Sequence, residues 1–267
     1  MSPVIRGLVA ALALLCGLPA AAFAAPAVAP ILMTTDSVDD RTWARPRVAR
    51  VTHVDLDLVT DFDAKAVSGT AALDVLAAPG ATEIVLDAWD LTILSVTDAK
   101  GGKLPWTLGA ADGDKGAPLT VQLNGASRII VGYRTGSADA LQWLPPELTA
   151  GKAKPFLYSQ GQATLNRSWI PTQDSPGIRQ TWTARIVVPD DLTAVMSGEM
   201  LTPEGEPAGP GKRAFRFRMQ HPTAPYLIAL AVGDIAFRPL GPRTGVYTEP
   251  SMMDRAAAEL DDTEKMV

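Results

Sequence analysis

The sequence is short of several residue types, and each shortage removes a class of function. It holds a single cysteine, Cys16, and two histidines, His53 and His221. Cys16 lies inside an apolar leader, so a protein exported without that leader has no disulfide, and a hydrophobic core must carry its stability. Neither histidine has a second ligand at metal spacing, and no His-Glu-x-x-His run occurs, so no zinc site is legible. A Gly-x-Ser-x-Gly elbow, a phosphate-binding glycine loop and a dinucleotide glycine fingerprint are also missing. The early carboxylates, such as Asp55 and Asp57, are spaced as solvated strand faces and give no support to paired-acid chemistry. There is no basic run either. With 24 Lys and Arg against 29 Asp and Glu, the formal net charge is −5, and nucleic acid is not an expected partner.

One apolar run is present, and it comes first. Met1 to Arg6 carries one positive charge, Gly7 to Leu18 is uncharged and apolar, and Ala22-Phe23-Ala24 offers small residues for a signal peptidase. The sequence therefore predicts a signal peptide over 1–24 and export to the periplasm or the extracellular space. The run falls short of the roughly 20 residues that span a bilayer, so no stable membrane span is expected after cleavage. Leu15 before Cys16 is too bulky for an ordinary lipoprotein signal. Residues 25–41, small, polar and Pro-containing, read as a flexible tether.

From Arg50 the dominant period is two, the period of strands. Val54, Leu56 and Leu58 alternate with Asp55 and Asp57, and Ala71, Leu73 and Val75 repeat the pattern. Ile84–Leu86, Leu91–Val96, Leu119–Leu123 and Arg128–Tyr133 read as further strands, with a turn at Gly101-Gly102. Later, Trp182, Ala184, Ile186 and Val188 share a face, and Phe215, Phe217 and Met219 alternate with Arg216 and Arg218, a half-buried strand with a solvated basic face. Gly136–Pro155 reads as a long connection, Met200–Lys212 as an exposed loop, and Tyr226–Val232 as a strand buried on both faces. Short strands at this density predict an all-β, multi-sheet assembly. The last residues change character: Ser251–Asp254 matches a Ser-x-x-acid helix start, Ala256–Leu260 favours helix, and Asp262-Thr263-Glu264 resembles a second cap. A helix that has only begun cannot bury its apolar face, so the chain reads as a fragment.

The densest chemistry lies between two strand-like regions, in F-L-Y-S-Q-G-Q-A-T-L-N-R-S-W-I-P-T-Q-D-S-P from Phe156 to Pro176. An amide both donates and accepts, so Gln160 and Gln162 could fix the orientation of a peptide-like ligand. Arg167 and Asp174, flanked by Pro171 and Pro176, read as the brace of a turn, paired with each other or with backbone carbonyls. Trp169 reads as core.

This stretch resembles the [ST]-Q-x-[EQ]-[AP]-x-x-x-R-x-x-x-P-x-x-D-x-P pattern of the zinc metallo-aminopeptidases, the family of aminopeptidase N and leukotriene A(4) hydrolase. Ser159, Gln160, Gln162, Ala163, Arg167, Pro171, Asp174 and Pro176 occupy its fixed positions. Ala194–Gly198, Tyr226–Gly233 and Gly241–Thr244 agree in order and spacing, and Gln162 is closer to the leukotriene A(4) hydrolase branch. The resemblance implies a saddle-shaped β-domain over 42–243, followed at 244–267 by the start of a thermolysin-like catalytic domain. It implies zinc in the full-length enzyme, with ligands beyond this chain, and a peptide with a free N-terminus as substrate. Gln162 matches a position that contacts the substrate near its α-amine, and Ala163 one whose backbone lies along the peptide. Gln160 has two readings, a ligand contact on the same side of a strand as Gln162 or a bond to local backbone. No catalytic residue is expected here, and the chain alone is expected to be inactive. The other reading of the whole is a non-catalytic β-rich module that binds peptide or protein.

Overall fold

A computed structural model describes residues 38–113 and 115–267; the expected signal segment and most of the expected tether lie outside them. Among the described residues the chain is built from strands. In order they are β1 (Ala49–Asp61), β2 (Ala66–Ala77), β3 (Glu83–Ala88), β4 (Leu91–Asp98), β5 (Trp106–Leu108), β6 (Ala117–Gln122) and β7 (Arg128–Thr135). There follow β8 (Leu141–Leu144), β9 (Phe156–Ser159), β10 (Gln180–Pro189), β11 (Thr193–Met196), β12 (Glu199–Met200), β13 (Glu206–Pro207) and β14 (Lys212–Thr223). The chain closes with β15 (Leu230–Gly233), the hairpin β16 (Ala236–Pro239) and β17 (Gly245–Thr248), and two short helices, α1 (Met253–Glu259) and α2 (Thr263–Met266).

The main sheet runs β12-β14-β10-β1-β2-β7-β4, with β13 on the edge of β14. Its centre follows the expected alternation: Val54, Leu56 and Leu58 are buried, and they pair with Trp182, Ala184 and Ile186 of the parallel neighbour β10. On the opposite face the charges are paired. Asp57 meets Arg185, Arg216 meets Glu206, and Arg218 meets Glu199. A second sheet runs β11-β15-β9-β8, and a third β3-β6-β5. One continuous core, including Leu86, Leu119, Leu157, Trp169, Trp182, Phe217 and Val232, joins all three.

Several local expectations are corrected. The connection 136–155 contains β8, whose Leu141 packs inward beside a half-buried Trp143. Met200–Lys212 is mostly exposed but touches down on β14 as two two-residue strands. Tyr226–Val232 is not one doubly buried strand: Pro225–Leu227 is a 3-10 turn that leaves Leu227 exposed, and β15 begins only at Leu230. Pro225 sets the turn by fixing its own φ and removing a donor. Ser251 does not cap α1, because it lies inside the 3-10 turn Pro250–Met252 and the helix starts at Met253 with no side-chain cap bond.

Candidate functional site

The site is assembled where β9 ends. Its last residue, Ser159, accepts from Leu230 N at 2.8 Å through its hydroxyl, anchoring the strand to β15. The chain then leaves the sheet. Gln160, Gln162 and Ala163 are exposed and lie in a turn after the strand, not on its face, so the expected two-residue alternation does not place the amides side by side. A shorter-range bond relates them instead: Gln162 N donates to Gln160 Oε1 at 3.1 Å. That is the local-backbone reading of Gln160. The Gln162 side chain and Ala163 remain on the rim.

Below the rim the chain turns inward, and residues 166–175 are all buried. A buried loop needs partners for every polar group, and its side chains supply them. Asn166 Nδ2 donates to the carbonyls of Pro225 at 2.6 Å and Ile228 at 2.9 Å, while its Oδ1 accepts from Trp169 Nε1 at 2.8 Å. Gly161 sits against this amide, where a Cβ would lie 2.3 Å from Asn166 Oδ1 and 2.9 Å from the Tyr226 carbonyl. Only glycine fits there. The Tyr133 hydroxyl donates to the Trp169 carbonyl at 2.8 Å; burial pushes that phenol far up, so it stays a neutral donor.

Arg167 is fully buried and uses its fork on several elements at once. Nε reaches Asp174 Oδ2 at 3.3 Å, Nη2 the Asp174 carbonyl at 2.6 Å, and Nη1 the carbonyls of Arg41 and Lys115 at 2.8 and 2.9 Å. The expected brace is therefore both pairings together. Residues 39–41, on the tether side of the boundary expected at 42, already touch this loop, since Asp39 also bonds the Ser175 hydroxyl.

Two supports escaped the sequence reading. Gln173, fully buried, accepts from Val51 N at 2.9 Å and donates to Ala49 O at 2.9 Å and Val85 O at 3.1 Å, tying the loop to β1 and β3. Asp87 accepts from Trp43 N at 2.7 Å, Asp174 N at 2.9 Å and the Thr42 hydroxyl. The only sequence signal was an acid at 87 directly after the apolar run Ile84-Val85-Leu86. Burial pushes the carboxyls of both Asp87 and Asp174 upward against the pull of Arg167, Asp174 to about 6.

The donor set does not fit a zinc ion. Among the described residues no group of three or more His, Cys, Asp or Glu side chains is arranged to hold a metal. His53 bonds Thr181 and Asp55 across the sheet surface. Among the same residues no helix is long and apolar enough to cross a membrane.

The class defined by these features is an all-β, multi-sheet domain with an exposed amide rim on a buried polar loop. The chain belongs to the Peptidase M1 N-terminal domain family, whose profile matches residues 51–227. It is 35% identical over 237 residues to leukotriene A-4 hydrolase of Xenopus laevis, covering 86% of this chain and 39% of that protein. To aminopeptidase B of Mus musculus it is 35% identical over 260 residues, covering 85% and 38%. The structure of yeast LTA4 hydrolase in complex with bestatin superposes with a TM-score of 0.79 at 29% identity, over 88% of this chain and 36% of that one. An M1 zinc metallopeptidase from Deinococcus radiodurans, at 22% identity, TM-score 0.57 and coverage of 75% and 47%, shows the fold alone. The chain thus spans under two-fifths of the length of those curated relatives, and the family is one of zinc metallopeptidases.

Proposed function

We propose that this chain is the N-terminal β portion of an exported zinc aminopeptidase and that it narrows the cleft in which a peptide's free N-terminus is held. Gln162 and Ala163 are the contacts, with Gln160 as their support. The observation that carries this reading is the contrast across one short loop: three exposed residues are held above ten successive buried ones. Such a foundation fixes the rim, and a fixed rim recognises a ligand at low entropic cost. The Gln162 amide oxygen accepts from an ammonium without a full charge pair, and the Ala163 backbone offers its own peptide groups to the ligand. Gln160 holds the Gln162 backbone and so acts on the ligand through it.

On this reading residues 1–24 are the signal peptide, 25–41 the tether, 42–243 the β-domain, and 244–267 the opening of the catalytic domain. The hairpin β16–β17 straddles the last boundary, with Pro239 paired to Gly245. Zinc and its ligands belong to the remainder of the whole protein, and no step is assigned to residues of this chain.

The test is Gln162→Ala in the whole protein, assayed on peptides with free and with acetylated N-termini. Losing one hydrogen bond to a charged group costs about 1.5–3 kcal/mol, so kcat/KM toward free N-termini should fall by roughly ten- to a hundredfold. An unchanged kcat/KM rejects the contact. Equal cleavage of acetylated peptides rejects the aminopeptidase reading, and binding without cleavage of either peptide leaves the non-catalytic peptide-binding module.

A further inference from the structure

Among the described residues Arg167 is the only buried arginine or lysine, and Asp87 and Asp174 are the only buried carboxylates. They form one cluster. Arg167 Nε lies 3.3 Å from Asp174 Oδ2, Arg167 Nη2 lies 3.9 Å from Asp87 Oδ2, and Asp174 N donates to that same Asp87 oxygen at 2.9 Å. Three segments meet there: the N-terminal strap at 39–43, strand β3, and the loop beneath the rim. One cation against two anions leaves a net negative charge in the interior, which is costly to bury.

The other charged groups around the cluster do not balance it. From the strap, Asp39 engages the Ser175 hydroxyl, and Arg41 offers its carbonyl to Arg167 while its guanidinium stands 63% exposed near Asp40. From the turn before β6, Lys115 also gives only its carbonyl, and its ammonium sits 4.3 Å over the Trp43 ring.

Hydrogen bonding says which carboxylate can accept a proton. Asp87 uses both oxygens, with Trp43 N on Oδ1 and Thr42 and Asp174 N on Oδ2, so all of its acceptor positions facing the cluster are engaged by donors, which oppose the upward push of burial. Asp174 Oδ2 is taken by Arg167, but its buried Oδ1 has no hydrogen-bond partner among the described residues. We propose that Asp174 takes up a proton at Oδ1 in mild acid, so that the Arg167–Asp87–Asp174 cluster is a pH-sensitive clasp joining the N-terminal strap to the loop beneath the rim. The proton comes from solvent and leaves a neutral cluster; its loss restores the excess charge and loosens the clasp. Burial raises the Asp174 carboxyl to about 6, above its ordinary value of 3.8. The folded state therefore binds this proton more tightly than the unfolded state. The stabilisation is complete below the ordinary value and is lost as pH rises through about 6.

The experiment uses the whole 267-residue chain. Carboxyl-carbon NMR follows Asp174, thermal unfolding is recorded from about pH 8 to 5, and amide exchange reports protection of Trp43 and Asp174, whose N–H groups bond Asp87. The Asp174 carboxyl should titrate near pH 6, Tm should rise on acidification, and the two protection factors should fall about tenfold above pH 7. Asp174→Asn, neutral and of similar shape, should lose most of that Tm rise, whereas Asp87→Asn should destabilise at every pH. A carboxyl titrating below pH 4, or an Asp174→Asn variant with the full pH dependence, overturns the assignment of the proton. Protection factors that stay flat while Asp174 titrates overturn the clasp. If Asp174→Asn fails to fold, the wild-type titration and protection factors decide alone.

Discussion

Arg167 and Asp174, seven positions apart, meet inside the protein: the guanidinium Nε stands 3.3 Å from the carboxylate, and the two residues are 0 and 1% exposed. The pair is joined by backbone as well, since Arg167 N donates to the same carboxylate oxygen at 3.0 Å. Removing either partner strands the other in the interior. Arg167→Ala is therefore expected to destabilise the fold by about 3–5 kcal/mol, read by urea unfolding. Arg167→Lys should recover little, because an ammonium cannot span Asp174 and the Arg41 and Lys115 carbonyls with one rigid fork. A loss under about 1 kcal/mol for Arg167→Ala would mean the cluster is not what holds the loop.

Gly161→Ala tests the seat of the rim. The added Cβ would meet Asn166 Oδ1 at 2.3 Å, and Asn166 cannot yield without dropping the Pro225 and Ile228 carbonyls. Overpacking of this kind costs about 1–3 kcal/mol. Asn166→Ala should cost a similar amount by leaving those carbonyls and the Trp169 N–H unpaired. The two changes act on one contact, so the double variant should be less destabilised than the sum. Strict additivity in a double-mutant cycle would show the contact is not shared.

The two rim glutamines should separate. Gln162→Ala removes an exposed side chain and should leave stability within about 0.5 kcal/mol of wild type. Gln160→Ala removes the acceptor of Gln162 N, so it should raise amide exchange at Gln162 by several-fold with little change in global stability. Equal exchange in both variants would remove Gln160 from the role of support.

On the sheet surface the pH dependence has the opposite sign. The bonds from His53 and then Arg128 hold the Asp55 carboxyl below its ordinary 3.8, outweighing partial burial. A depressed folded value adds stability above the ordinary value and loses it as pH falls through the folded one. The window lies below pH 3.8. His53→Ala should move the Asp55 titration upward, measured by carboxyl NMR; an unmoved Asp55 would show that Arg128 alone sets it.

Much of this protein is written in periods of two. Val54, Leu56 and Leu58, or Phe215 and Phe217, can satisfy their apolar character only by facing one core, so the strands and the all-β class follow from local pattern. The resemblance around Ser159–Pro176 likewise located the loop that bears the rim, because spacing is a property of the chain itself. β5 and β8 were not legible, being too short for a pattern. Nor was the turn at Pro225, where that proline and the Asn166 bond to its carbonyl together break up an apolar run. Above all, sequence could not say that Asp87 and Arg41 converge on Arg167, with Thr42 on Asp87, or that Gln173 reaches Ala49, Val51 and Val85. Their separations run to more than a hundred positions, and a hydrogen bond across such a distance exists only once the sheets have packed. The sequence by itself determined which residues alternate and which motif is carried. Tertiary packing alone decided which polar groups leave water together, and hence that the exposed amides stand on a buried, charge-imbalanced base.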